Sequence, residues 1–473
     1  MTYALVDNST LTAVERLSGN VLTKSKDSTD TDIVALENYL QAILFYDRIV
    51  AVDDYIPKHR DSRIAAFPNI DFLNKGDFNL DLIEQQAKEK ADSIRPEIRG
   101  GEFVNSDFKK LIELLQTHIV CTWDISSSVY HLTLKGLANG SEEFKKYGNL
   151  AASIFSELND ASELGQRTSG NVALVDRYGN PISSGYKVPE ARWSNGGKSS
   201  GEASNAIKAF VAALVWLANR SVFYSLTARY LQADTFLYPI RQAYQQTYLS
   251  QTCNYGFSYA KNIVDHFSTV ASEDLVSIHN AGLSVATATT LPMFSAWLAK
   301  ETGDPSQIVA AAYSIRNNSE FIEAREQIRE IRKLFDQSEI ASANRKVLKL
   351  VTSFNKASNN LRVKYGLNTR QGVPVTKLVH VYNTYAAISA LPKVPAYNFK
   401  IKLPEFVYNL RKPKGFNAVY RNLTDDLSTV WSLGEARDIL GSKVDNDKQS
   451  LVYNPKQEKP EFRQTHSQFK SPM

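Results

Sequence analysis

The sequence predicts a mainly α fold: a multi-helix bundle with a minor β element and an αα-hairpin or coiled-coil-like arm. Three observations carry that expectation. Long stretches place apolar residues three and four apart, the spacing of one helix face. Two stretches after Asn318 hold a heptad stripe over several turns. β-branched runs bounded by turn residues are confined to about 48–54 and 171–188. At 473 residues the chain exceeds what one small core organises, so two or three domains are expected. The 43% apolar and 22% charged fractions exclude a collagen-like, fibrous or wholly disordered chain.

Taken in order, residues 1–164 read as an N-terminal helical region with one short strand. Residues 1–31 are rich in Ser, Thr and Asp and read as irregular. Asp32 to Tyr46 reads as a helix through Ile33, Leu36, Leu40, Ile43 and Leu44. Arg48 to Asp54 follows as a β-branched strand ended by two aspartates, with further helices at about 78–94, 106–119 and 142–160.

Residues 165–203 read as a Gly-rich excursion holding seven of the 22 glycines, with Val172–Asp176 and Ile182–Val188 flanking a turn at Tyr178-Gly-Asn-Pro181. Residues 204–316 read as an apolar helical core. A helix over about 204–232 is apolar all round, as a central helix must be. Leu275 to Ala299 carries no charge, but its His279, Asn280, Pro292 and hydroxyl residues predict buried helix rather than a membrane span.

Residues 317–443 combine the heptad helices with a Pro-punctuated segment. Phe321, Ala324, Ile328, Ile331 and Phe335 form one stripe; Ile340, Ala343, Val347, Leu350, Phe354, Ala357 and Leu361 form the second, with Gly366 placed as its C-cap. Pro392, Pro395, Pro404 and Pro413 exclude a long helix, Asn398–Leu403 reads as an edge strand, and a last helix is expected at 424–440. Only seven of the 30 residues from Val444 onward are apolar, which predicts a disordered tail over 444–473.

Charge is the most informative feature. Between Ile340 and Arg421 fifteen basic residues stand against one acid, Glu405. The segment is +14 in a chain of +5, which leaves −9 on the remainder. An anionic partner or an acidic neighbouring surface would relieve the self-repulsion. Phe399, Phe406, Tyr408, Phe416 and Tyr420 interleave with the basic residues, as contact with bases or lipid headgroups requires. No RNA-recognition, KH or zinc-finger signature accompanies them.

Motifs for chemistry are sparse. Gly197-Lys198-Ser199-Ser200-Gly201 matches G-x-S-x-G, making Ser199 the candidate nucleophile, but Pro189, Glu190 and Arg192 make a poor strand before it. A phosphate-binding loop would need glycine where Arg192 stands. The looser reading is that Lys198 and the free amides after the 196–201 loop hold an anion. Asp53 and Asp54 are adjacent on a strand and point to opposite faces, so they do not make a pair for one metal ion. No two of the seven histidines lie three or four apart, and Cys121 and Cys253 supply neither a disulfide framework nor a four-thiolate zinc site. Neither a cofactor nor a metal is expected. The opening residues lack a basic start before an apolar run, so a cytoplasmic location is expected.

Phe223-Tyr224, Ala228-Arg-Tyr-Leu231, Tyr238-Pro-Ile-Arg241, Leu291-Pro-Met-Phe294, Ser314-Ile-Arg316, Glu320-Phe321 and Arg325 form an ordered series over about 100 residues. The series resembles a diffuse group of uncharacterised bacterial helical proteins, some of which sit near antiviral defence genes. The resemblance implies antiviral involvement and brings no catalytic residue. Physically, Arg229, Arg241 and Arg316 lie in apolar surroundings and need carboxylate or carbonyl partners.

The leading expectation is a cytoplasmic, non-enzymatic binding or sensor protein. Its contacts to an anionic partner, nucleic acid or an anionic lipid surface, would be Lys346, Lys349, Lys356, Arg362, Lys400, Lys402, Arg411 and Lys412, with Lys198 as a further anion contact. One alternative is a hydrolase or transferase on the 196–201 loop. The other is a structural subunit, a homo-oligomer or part of a complex with a partner protein, whose basic arm docks on an acidic neighbour.

Overall fold

The first departure from the sequence reading is at the very start of the chain. In the computed structural model, Tyr3–Val6 is a strand (β1) and Asn8–Leu17 a helix (α1), where an irregular segment was expected. The four residues Tyr-Ala-Leu-Val are too few to show a period, and both their faces are covered. Asp7 ends the strand and caps the helix, its carboxylate accepting from the Thr10 amide at 3.0 Å. The structure describes residues 1–21, 29–55, 59–74, 79–91, 97–99, 157, 170–175, 186–188, 202–252, 259–282, 292–337, 339–369, 414–427 and 433–444.

After α1 come α2 (Thr29–Phe45), β2 (Arg48–Val52), α3 (Arg60–Ala66), β3 (Asp71–Leu73), α4 (Leu80–Ala91) and β4 (Glu97–Arg99). Then follow β5 (Gly170–Val175), β6 (Tyr186–Val188), α5 (Glu202–Leu231), β7 (Asp234–Phe236), α6 (Pro239–Thr252) and α7 (Tyr259–Gly282). The remainder is α8 (Met293–Thr302), α9 (Ile308–Ile315), α10 (Ser319–Asp336), α11 (Ile340–Lys364), α12 (Phe416–Leu427) and α13 (Leu433–Leu440). The fold is mainly α with a minor β element, as the sequence predicts.

The β element is larger than the one strand expected near residue 50. Four parallel strands run in the order β3-β2-β1-β7, with Leu5 paired to Val50 on one side and Thr235 on the other. Ala4, Val6, Ile49 and Ala51 enter one core, shared with α2, α7, α8, α10, α11 and α12. Leu5, Val50 and Val52 enter a second core, with α4, α5 and α6. Alternate residues of β1 and β2 therefore anchor opposite layers, which is why Ala4 to Val6 and Ile49 to Val52 are apolar throughout. In the Gly-rich region β5 pairs antiparallel with β6 and parallel with β4, making a second small sheet.

α10 and α11 form the αα-hairpin, and both stripes are buried. Phe321, Ala324, Ile328 and Ile331 from one, and Val347, Leu350, Phe354 and Leu361 from the other, join the first core. α11 also seats on α7 and α12. Gly366, with φ of 68°, closes α11 where the C-cap was placed.

The helix expected at 424–440 is two helices, α12 and α13, the first beginning eight residues earlier. Phe416, Val419, Tyr420, Leu423 and Leu427 supply its buried stripe. Phe416 and Tyr420, read as interleaved with basic residues for stacking on a ligand, are core residues. The Phe416 ring stacks on Phe45 at 5.0 Å and 7°, and Phe267 and Phe354 pack around it.

Of the uncharged stretch from Leu275 to Ala299, residues 275–282 end α7 and 293–299 belong to α8, whose first turn is capped by Glu37; residues 283–291 lie outside the described residues. The Glu37 carboxylate accepts from the Phe294 and Ser295 amides at 3.1 and 2.8 Å, and burial holds its pKa above the ordinary carboxylate value. Among the described residues no helix is long and apolar enough to cross a membrane.

Arg316 donates to the Tyr46 and Asp47 carbonyls and Arg325 to the Leu44 carbonyl, which satisfies the C-terminal end of α2. That is the carbonyl pairing the sequence requires of Arg316. Arg229, by contrast, is exposed. Residues 106–119, the Pro-punctuated segment with Asn398–Leu403, and the tail beyond Val444 lie outside the described residues.

Candidate functional site

Two places concentrate polar chemistry: the carboxyl edge of the parallel sheet, and the cleft between α10 and α11. In open parallel sheets, ligands sit outside the carboxyl ends of the strands, where the strand order reverses. That point is β1, flanked by β2 and β7, and Asp7 stands on it.

Asp7 is fully buried and already occupied. Besides capping α1, it accepts from the Tyr238 amide at 3.1 Å and from the Arg241 guanidinium at 3.1 Å. Arg241 spends its other donors on Glu157, at 2.8 Å from both Nε and Nη2, and all three side chains are at most 3% exposed. The two aspartates expected to close the strand lie just past the end of β2 and take different partners. Asp53 pairs with Arg60; Asp54 pairs with Arg220 and accepts from Asn8 and the Tyr224 hydroxyl.

Arg220 lies over the faces of Phe223 and Tyr224, and burial lowers its pKa. Arg63, 1% exposed, reaches Glu15 at 2.8 Å and the Asn8 carbonyl at 3.1 Å. Each of these five carboxylates therefore has an arginine. Among the described residues no three metal-capable side chains gather. The edge is a closed ionic clasp that fastens α3, α5 and α6 to the sheet. Tyr238-Pro-Ile-Arg241 was visible in the sequence, but its partner Asp7 fell in the segment read as irregular.

The basic segment is divided. Ser199, Lys198 and the 196–201 loop, together with Lys400, Lys402, Arg411 and Lys412, lie outside the described residues. Of the remaining expected contacts, Arg362 is engaged within the protein. It donates to Asp274 at 3.0 Å and to the Asn368 carbonyl at 2.7 Å, while the Tyr420 hydroxyl donates to the same Asp274. Lys364 and Arg421 share Asp425 at the surface. Lys356 is half-buried. Lys346 meets Glu330 across the two helices at 2.6 Å, both about half exposed, and Lys349 is exposed with no carboxylate partner among the described residues.

Lys346, Lys349 and the Glu330 carboxylate line one cleft of about 350 Å³. Ile331 of α10 and Leu350 of α11 form its apolar floor, 2% and 8% exposed. Gln327 borders it and accepts from the Phe416 amide at 3.3 Å. Asn417 closes one end, donating to the Ser353 hydroxyl at 3.0 Å, while its amide oxygen is buried without a hydrogen-bond partner. Gly415 brings α12 this close: its φ is 55°, and a Cβ there would stand 2.5 Å from the Gln327 amide oxygen.

No protein-family model matches the chain, and neither a curated protein nor a solved structure gives a significant match.

Proposed function

We propose that the chain is a non-enzymatic binding protein that engages a phosphate-bearing anionic partner through the basic face of α11, seated at the α10–α11 cleft. The carrying observation is that Lys349 and Lys346 converge on a cavity with hydrogen-bonding walls, where the carboxyl edge of the sheet is already saturated. α11 has six basic residues and no acidic one, so its field favours anions along its whole length. Concavity favours a soluble phosphate compound over a bilayer, because a flat headgroup plane does not enter a recess of about 350 Å³.

Fluorescence anisotropy with labelled single-stranded RNA and DNA tests this reading, beside sedimentation with anionic vesicles. Binding is expected at low salt and falls steeply as salt rises, because each neutralised phosphate releases counterions. Lys349→Glu weakens it. Glu330→Gln frees Lys346 and tightens it about two- to threefold, the scale of one exposed ion pair. Undetectable binding of every anion at low salt, or indifference to both substitutions, overturns the proposal.

A second reading has its own support: Lys346, Arg362, Lys364 and Arg421 each meet a carboxylate of the same chain. On that reading the segment serves internal neutralisation and assembly. Sedimentation velocity showing a salt-sensitive oligomer, with no anion binding, would favour it.

A further inference from the structure

The basic row on α11 is longer than the cleft it borders. The helix carries six basic residues and no acidic one. At 3.6 residues per turn Arg345, Lys349 and Lys356 fall within about 40° of one line, a row about 16 Å long on the side away from the buried Val347, Leu350 and Phe354. Arg345 and Lys349 are exposed and Lys356 is half-buried. Lys346 and Lys364 flank the row, held by Glu330 of α10 and Asp425 of α12. The charge of the row itself is therefore unrelieved at Arg345 and Lys349 by any carboxylate pairing among the described residues. A compound with one phosphate engages one end of it; the whole row calls for an anion whose charges repeat.

Several polyanions meet that demand, and the uncharged part of the face separates them. A bilayer also takes up apolar side chains, and among the described residues α11 exposes one large one, Val363. A single strand stacks its bases on exposed rings. Among the described residues every aromatic side chain of α10, α11 and α12 is buried or half-buried, Phe416 and Tyr420 included. An RNA duplex is recognised in part through its 2′-hydroxyls, but the hydroxyls between these cations, Thr352 and Ser353, donate to the Leu348 and Leu350 carbonyls of their own helix. The row is left with point charges, which meet phosphates and read no base edge.

We infer that the outer face of α11 docks on the phosphate backbone of double-stranded DNA without reading its sequence, through Arg345, Lys349 and Lys356. This rests on the anion-binding reading above and names its partner.

Fluorescence anisotropy of the full chain tests the inference, with two short DNA duplexes of unrelated sequence, their separated strands and an RNA duplex of the same length, beside sedimentation with anionic vesicles. The two DNA duplexes are expected to bind alike, and more tightly than the strands, the RNA duplex or the vesicles. Arg345→Ala and Lys349→Ala, both at exposed positions where folding is not at risk, each weaken duplex binding roughly eightfold at about 0.1 M salt and lower the salt slope by about 0.9, the worth of one phosphate contact. Lys88→Ala, an exposed lysine of α4, changes neither. Tighter binding of single strands, RNA duplex or vesicles overturns the inference, as does discrimination between the two DNA sequences or a salt slope untouched by both α11 substitutions. If one of those results comes with binding of another phosphate ligand that Lys349→Glu weakens, the anion-binding reading stands and only its DNA form falls. Undetectable binding of every anion at low salt removes the two together.

Discussion

Asp234 makes the stability of the protein depend on pH near neutrality, and Asp234→Asn isolates the effect. The residue opens β7 and is 6% exposed. One carboxylate oxygen accepts from the Tyr46 hydroxyl at 2.7 Å and the other has no partner. Burial raises its pKa from 3.8 to about 7, against the opposing pull of the Tyr46 hydrogen bond, Lys261 and, more weakly, Arg332. The folded protein thus holds a proton that the unfolded chain has released. Below the unfolded value both states are protonated and the contribution is complete; as pH rises to the folded value it disappears. Integrating the proton difference gives a loss of about 2.5 kcal/mol between pH 5 and pH 8. Asn keeps an acceptor for Tyr46 and does not titrate. Denaturant unfolding of both proteins at several pH values is the assay, because their difference cancels every other titrating group. The variant is expected to gain about 2–3 kcal/mol on wild type across that interval. A difference that stays flat with pH, or grows in the opposite direction, refutes the reasoning.

Three more outcomes follow from packing and backbone geometry. Arg241→Met leaves Asp7 and Glu157 buried without their cation and is expected to cost about 3–5 kcal/mol, read by denaturant midpoint; a cost below about 1 kcal/mol contradicts the clasp. Phe416→Ala removes the ring stacked on Phe45 and is expected to cost about 3–5 kcal/mol, with a matching fall in thermal midpoint. Gly415→Ala places a Cβ in a left-handed residue against Gln327, and about 1–2 kcal/mol is expected from the conformation alone; an unchanged melting temperature would show that the turn tolerates side chains.

The long helices were legible because periodicity accumulates over many turns. Thirty residues of α5 and the paired stripes of α10 and α11 leave no other assignment. The sheet was not, for an equally physical reason. Strands of three to five residues are too short to show a period, and those of β1, β2 and β7 are largely buried on both faces; only β2, with its Ile-Val-Ala-Val run, stood out. Phe416 and Tyr420 illustrate a misreading with a recoverable signal: with Val419, Leu423 and Leu427 they step by three and four, the mark of a buried helix face. Their basic neighbours drew attention from that pattern. The demand for partners around Arg241 and Arg316 was readable from their apolar context, although the identity of the partners was not. The cleft was only half visible. Lys346 and Lys349 belong to one helix, whereas Asn417 reaches Ser353 across 64 residues of sequence.

The parallel sheet and the aromatic core join distant parts of the chain, and this dictates when folding can finish. β1 gains its second neighbour only when Phe236 has been made, and the ring of Phe45 gains its stacking partner only with Phe416. A chain made amino end first carries an unpaired β1 edge until residues 234–236 are made and an open cluster of phenylalanines until Phe416 is made. Such closures over long loops are slow and leave sticky surface in the meantime. The aromatic core therefore closes only once residue 416 is available, and the surface it will cover stays open until then.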